Sequence, residues 1–303
     1  MIIVVCLNPA LDVTHHVDAV DWGGVNRPRT VCARPGGKGL NVARTLHALG
    51  VDVLVLGLVG GITGAGVENA LRERCVPAVF TPVAGETRRT FSVVDDSRVT
   101  AFHEAGPAVS EEEFAGFRRG YEQALDGAAA VVLSGSLPPG LEAGTYATLI
   151  QAAGVPAVLD THGEALRLGA AAGAAIVKPN LAELESLTGH KLATPDGVIA
   201  AAGQLRGAQA VVVTLGPDGL LAATGDGCWR ARAPAAMTGN ATGAGDAVAA
   251  ALAHGLVLGR PWDERLRHAA ALGAATAAAP VAGEFRRQDY LGALTAVTVE
   301  EVR

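Results

Sequence analysis

The chain has 303 residues, half of them apolar, with 39 glycines and only 4% aromatic residues. That length holds one large or two ordinary domains around a substantial core. A formal net charge of −6 excludes a general attraction to nucleic acid or to an anionic membrane, so an anionic ligand must be met by a local cluster of cations. Cys6, Cys32, Cys75 and Cys228 stand apart, with no CxxC pair and no histidine at metal-ligand spacing. They predict reduced, mostly buried thiols in a cytoplasmic protein. The N-terminus enters an apolar run without a basic start or a cleavage site, so no signal peptide is expected. The Ala-rich stretch 269–282, broken by Gly273 and Pro280, predicts a close-packed interior helix rather than a membrane span.

Short apolar runs at 2–6, 53–58, 129–133, 157–159, 175–177 and 210–213 predict strands buried on both faces. Helical patterns at 40–49, 111–125 and 145–152 lie between them. This alternation argues an α/β fold with a parallel sheet covered on both sides. The stretches 11–35 and 87–104 switch to period two, the second with Asp95-Asp96-Ser97 as a hairpin turn. They predict a small antiparallel lid inserted into the α/β domain. The main domain then comprises 1–10, 36–86 and 105–303, and the lid 11–35 and 87–104. From Thr242 on the chain reads as mostly helical.

Polar residues follow the predicted strands: Asn8, Ser134-Gly135-Ser136, Asp160, Lys178-Pro179-Asn180 and Thr214-Leu215-Gly216. In open parallel sheets the ligand crevice lies at the carboxyl ends of the strands, so these groups gather at one edge and form a site.

Four motifs bear on chemistry. Asn240-Ala241-Thr242-Gly243-Ala244-Gly245-Asp246 opens an apolar helical run. Glycines let the backbone approach a ligand, helix-start N–H groups attract an anion, and Asp246 could accept a proton from an attacking hydroxyl. The plainer alternative is a Gly-rich loop whose acid is favoured by the helix dipole. Pro35-Gly36-Gly37-Lys38-Gly39-Leu40-Asn41 starts a second helix but lacks the GxxxxGK[ST] spacing of a Walker A loop, and no GxGxxG follows the first run. It is either a second anion-binding start or an ordinary turn. Asn180 with Glu183 can order water on Mg²⁺ or close a helix capping box, and both can hold at once. Arg27, Arg29, Arg88 and Arg89 concentrate in the lid segments, where they suit a phosphate or protect a charged edge strand. The eight histidines show no catalytic arrangement.

Together, Asn8-Pro9-Ala10-Leu11-Asp12, Val25-Asn26-Arg27, Gly36 to Asn41, Ser134-Gly135-Ser136-Leu137-Pro138, Lys178-Pro179-Asn180 with Glu183, and Thr242 to Asp246 resemble the PfkB (ribokinase-like) carbohydrate kinases over nearly the whole chain. The closest resemblance is to the hexose-phosphate branch, and within it to the bacterial 1-phosphofructokinases. The resemblance implies a ribokinase-like αβα sandwich with a mostly parallel sheet and a small β lid. It implies ATP and Mg²⁺ as cosubstrates and conversion of fructose 1-phosphate to fructose 1,6-bisphosphate. Tagatose-6-phosphate kinase and 6-phosphofructokinase are the alternatives within the branch. A non-catalytic sugar-phosphate sensor is the alternative outside it, against which the intact Gly-Ala-Gly-Asp run speaks.

By position, the resemblance makes Asp246 the catalytic base and Gly243, Ala244 and Gly245 the anion hole. Asp12, Gly37, Lys38 and Asn41 would hold the sugar, and Arg27, Arg88, Arg89 and Ser136 its phosphate. Lys178, Thr214, Gly216 and Gly219 would serve the nucleotide, while Asn180 and Glu183 would support Mg²⁺ through water. A homodimer pairing through the lid is expected, because lid edge strands would otherwise stay unpaired. Two departures stand out: His103 where the branch often has Asn, and Asn240 where many sugar kinases have Asp.

Overall fold

The computed structural model describes residues 1–95, 98–233, 241–279, 281 and 283–302. In chain order the elements are β1 Ile2–Cys6, β2 Ala10–His16, β3 Thr30–Gly36, α1 Lys38–Ala48, β4 Val53–Val59, α2 Gly61–Glu73, β5 Ala78–Pro82, β6 Arg88–Val94, β7 Val99–His103 and α3 Glu111–Ala124. There follow β8 Ala130–Ser134, α4 Thr145–Ala153, β9 Ala157–Asp160, α5 Gly163–Ala171, β10 Ile176–Val177, α6 Leu181–Thr188, α7 Pro195–Ala202 and β11 Ala210–Thr214. A 3₁₀ turn at Gly216–Asp218, β12 Leu220–Thr224, β13 Gly227–Arg232, α8 Ala244–Val257, α9 Trp262–Ala277, α10 Arg287–Ala296 and β14 Thr298–Val302 complete the fold.

Ten strands form one sheet in the order β14-β13-β12-β11-β10-β9-β8-β1-β4-β5. All six predicted runs lie in its parallel part, which extends from β11 to β5. The alternation of β1 explains why helices cover both faces. Ile2, Val4 and Cys6 pack into the core beneath α1, α8 and α9. Ile3, Val5 and Leu7 point the other way, into the core that holds Phe117, Tyr121 and Tyr146. The strand order reverses between β1 and β8, and the residues that follow those two strands meet there: Asn8 Nδ2 donates to Ser136 Oγ at 3.1 Å. This is the switch point at which open α/β sheets place their ligands.

The two period-two stretches form a separate four-stranded sheet, β3-β2-β6-β7. Its two hairpins are antiparallel, but they join along a parallel β2–β6 pair. The reason is where each strand leaves the main sheet. β2 continues from β1 and β6 from β5, and both exit at the carboxyl edge, so they run the same way. Arg98 N closes the second hairpin on Asp95 Oδ1 at 2.8 Å, while Asp96 and Ser97 of the expected turn lie outside the described residues.

The close-packed interior helix expected in the Ala-rich stretch is α9, which runs through Gly273; a Cβ there would stand 3.0 Å from Val248 Cγ2, so glycine permits close approach to α8. Pro280 and Ala282 lie outside the described residues. One expectation is corrected in part. All four cysteines are free, but Cys32 and Cys75 are exposed rather than buried, since one faces outward on the small sheet and the other follows α2 in a left-handed turn (φ 54°). Among the described residues no helix is long and apolar enough to cross a membrane.

Candidate active site

Two helices begin at the switch point without side-chain caps. Gly243 caps α8 at φ 87° and Gly37 caps α1 at φ 92°, a backbone region that side chains disfavour. First-turn N–H groups left without a cap can meet an anion, although Ala244 N already donates to Ala241 O at 3.1 Å. Ala244 and Gly245 lie in the first turn of α8, and a Cβ on Gly245 would sit 3.5 Å from Lys178 Nζ. Asp246, in the same turn, is 6% exposed. Asn41, one turn into α1, donates from Nδ2 to Asp246 Oδ2 at 2.8 Å, and Arg44 Nη2 donates to Asn41 Oδ1 at 2.6 Å.

Beside this pair lies a charge network that the sequence did not reveal. Asp160, fully buried at the end of β9, receives Lys38 Nζ on one oxygen at 3.1 Å and Lys178 Nζ near the other at 3.2 Å. The second contact is an ion pair without good hydrogen-bond alignment, since that oxygen has no hydrogen-bond partner. Lys38 also reaches Glu183 Oε1 at 3.1 Å. Burial pushes the Asp246 carboxyl up to about 6 and the nearby Asp160 charge adds to this, while the Asn41 hydrogen bond and both lysines oppose it. Burial alone would lower Lys38, but Asp160, Glu183 and Asp246 outweigh it and raise the ammonium above its usual range. The result is a permanent cation beside a carboxylate poised near neutral pH, a useful value for a general base.

Asn180 and Glu183 do form the capping box of α6. Asn180 Oδ1 accepts from Glu183 N, and Glu183 Oε2 from Asn180 N, both at 2.8 Å. With Oε1 on Lys38, both oxygens of Glu183 are already engaged. Thr214 ends β11 next to Asn180, with its N donating to Pro179 O at 3.0 Å. Gly216 opens the 3₁₀ turn with free space where a Cβ would be, whereas a Cβ on Gly219 would overlap the Ala231 carbonyl. Gly219 is therefore demanded by the pairing of β12 with β13.

The residues of the four-stranded sheet and its connections divide into those near the switch point and those away from it. The Asp12 carboxylate lies over Gly36, which has room for no Cβ there. Burial pushes this carboxyl up, with the Thr90 hydroxyl and Arg88 opposing. Arg88 Nε donates to Asn8 O at 3.1 Å and Nη1 to Glu104 O at 3.3 Å. Arg89 turns outward, pairing with Glu104 at 3.4 Å and lying 5.3 Å over the Phe91 ring. Arg27 is exposed on the segment joining β2 to β3. His103 pairs with Thr90 in the β6–β7 register, and Asn240 lies outside the described residues. The structure thus joins Lys38, Asn41, Lys178, Asn180, Glu183 and Asp246 into one cluster and seats Asp12, Arg88 and Ser136 beside it. It does not bring Arg27 or Arg89 there.

A buried carboxyl at a glycine-started helix, with lysines beside it, suits an acceptor hydroxyl on one side and a transferred phosphoryl group on the other. Fold and site are those of a phosphotransferase acting on a sugar hydroxyl. Residues 4–286 match the family model described as pfkB family carbohydrate kinase, and the chain belongs to that family. Among solved structures, a possible 1-phosphofructokinase from Thermotoga maritima is 28% identical, with a TM-score of 0.91, covering 100% of this chain and 99% of its own. Phosphofructokinase-2 from Escherichia coli, in complex with potassium, is 29% identical with a TM-score of 0.90, covering 97% of this chain and 98% of its own. The same enzyme in complex with substrates and products is 30% identical, with a TM-score of 0.88 over the same shares.

Proposed function

We propose that this sugar-phosphate kinase moves the γ-phosphate of ATP onto the C6 hydroxyl of fructose 1-phosphate, giving fructose 1,6-bisphosphate. The observation that carries the reading is Asp246, buried in the first turn of α8 and held by Asn41. Asp246 takes the proton of the acceptor hydroxyl as its oxygen attacks phosphorus in line and ADP departs. The Gly243-Ala244-Gly245 backbone and Lys38 offset charge on the moving phosphoryl group. Gly37 and Asn41 orient the sugar together with Asp12, while Arg88 and Ser136 meet its phosphate; Arg27 and Arg89, which lie away from the cluster, are left out of that role. Lys178, Thr214 and Gly216 line the nucleotide side, and Gly219 shapes the turn there.

Mg²⁺ supplies further neutralisation of the phosphates. Among the described residues no group of three or more His, Cys, Asp or Glu side chains could hold a metal, and Glu183 is already engaged on both oxygens. Asn180 and Glu183 fit such an ion only through water, which suits a cation that keeps most of its hydration shell. Residues 11–35 and 87–104 act as the lid, which excludes competing water as it closes. The free cysteines suit a reducing cytoplasm.

A phosphorylated sugar is supported by Arg88 beside the cluster, and fructose 1-phosphate by the likeness to the Thermotoga protein. Fructose 6-phosphate and tagatose 6-phosphate would present the C1 hydroxyl instead. An ADP-release assay over the three sugar phosphates and free fructose tests the reading. The highest kcat/KM is expected with fructose 1-phosphate, and preference for another member of the panel would reassign the substrate.

A further inference from the structure

Arg44 has none of the roles above. It lies on α1 one turn beyond Asn41 and is 9% exposed, and among the described residues its Nε and Nη1 have no hydrogen-bond partner. A buried cation with a single hydrogen bond among the described residues is costly, so its burial here needs a cause. A guanidinium can only donate, whereas an amide has one donating and one accepting end. With Arg44 Nη2 on its oxygen, Asn41 must turn its NH₂ toward Asp246, which is the observed arrangement. Without Arg44, the amide could turn over and present its carbonyl to Asp246, a pairing that requires a proton on the carboxyl.

We infer that Arg44 is a positioning residue: by locking the Asn41 amide it keeps Asp246 a carboxylate, with one oxygen bonded and the other open to the acceptor hydroxyl. The inference rests on the reading of Asp246 as the base. Gly283 provides the room, since a Cβ there would press to 3.1 Å on both Arg44 Nη2 and Asn41 Oδ1. The charges around Arg44 are Arg34 from β3, Glu284 from the segment after α9, Asp12 from β2 and Arg74 from the end of α2. Those acting most strongly on Asp246 are Asp160, Lys38 and Lys178. Arg44 is not one of them, so its influence runs through the amide.

The test is the pH dependence of kcat for wild type, Asp246→Asn, Arg44→Met, Arg44→Gln and Arg44→Lys, with KM for ATP and melting temperature alongside. Arg44→Met should lower kcat about tenfold at neutral pH and move the acidic limb up by about one unit, with KM for ATP within about twofold. Arg44→Lys, still donor-only, should return the limb toward wild type. An unmoved limb in Arg44→Met, with Asp246→Asn inactive, overturns the inference and leaves the base reading standing. An active Asp246→Asn removes both. Should Arg44→Met fail to fold, Arg44→Gln, whose amide enforces neither orientation, is judged by the same limb.

Discussion

At Asp246 stability and activity pull in opposite directions. Its folded-state carboxyl titrates near 6, above the 3.8 of an exposed aspartate, chiefly because it is buried. A raised pKa means the folded state binds the proton more tightly. The resulting stability is fully present below about pH 4 and is lost as pH rises through about 6. The proposed base role needs the opposite form, so kcat should fall about tenfold per unit below pH 6. Asp246→Asn removes the proposed base and should lower kcat by roughly 10²–10⁴-fold. The same variant should melt above wild type at pH 8, with the difference gone near pH 4. A variant keeping more than about half of wild-type kcat would take Asp246 out of that role.

Secondary-structure elements control how the sugar is met. β2 and β6 leave the main sheet side by side, so Asp12 and Arg88 arrive together beside Asn8 and Ser136. A hydrogen bond to a charged group contributes about 1.5–3 kcal/mol, so Arg88→Ala should reduce kcat/KM for fructose 1-phosphate by roughly 10–100-fold. Free fructose should be used almost as well as before. Equal loss on both sugars, or none on either, would mean that Arg88 does not read the phosphate. Hydrogen exchange examines the four-stranded sheet as a unit. Amides in 11–35 and 87–104 should slow when sugar phosphate binds. Protection confined to the starts of α1 and α8 would exclude a closing lid.

For the whole molecule, the exposed apolar side chains are unevenly placed. Val31 on β3, Val99 and Phe102 on β7, and Trp22 and Val25 between β2 and β3 are all more than half exposed. Five such residues on one small sheet and its connecting segment favour pairing with a second copy over a solvated surface. Phe102→Glu should shift the protein from dimer to monomer in sedimentation. A wild-type monomer, or an unchanged dimer in the variant, would remove the lid interface.

The sequence by itself determined the elements whose cause is local. Runs such as Ile2–Cys6 read as doubly buried parallel strands because no polar alternation interrupts them. The glycine-started helices and the Asn180–Glu183 box follow from short-range backbone chemistry. β5, β12, β13 and β14 were not legible. β5 is an edge strand ending in proline, two of the five residues of β14 are charged, β13 carries two arginines and β12 is rich in alanine, so each derives its strand character from its neighbours. Only the tertiary structure decided the charge network, since Asp160 meets Lys38 across 122 residues of chain. Nothing in the sequence set Arg44 apart within the helical run 40–49; its burial against Asn41 and Gly283 appears only in the tertiary structure. Long-range pairing of charges depends on which strand ends a fold brings to one edge, and that is a property of sheet order rather than of any local run.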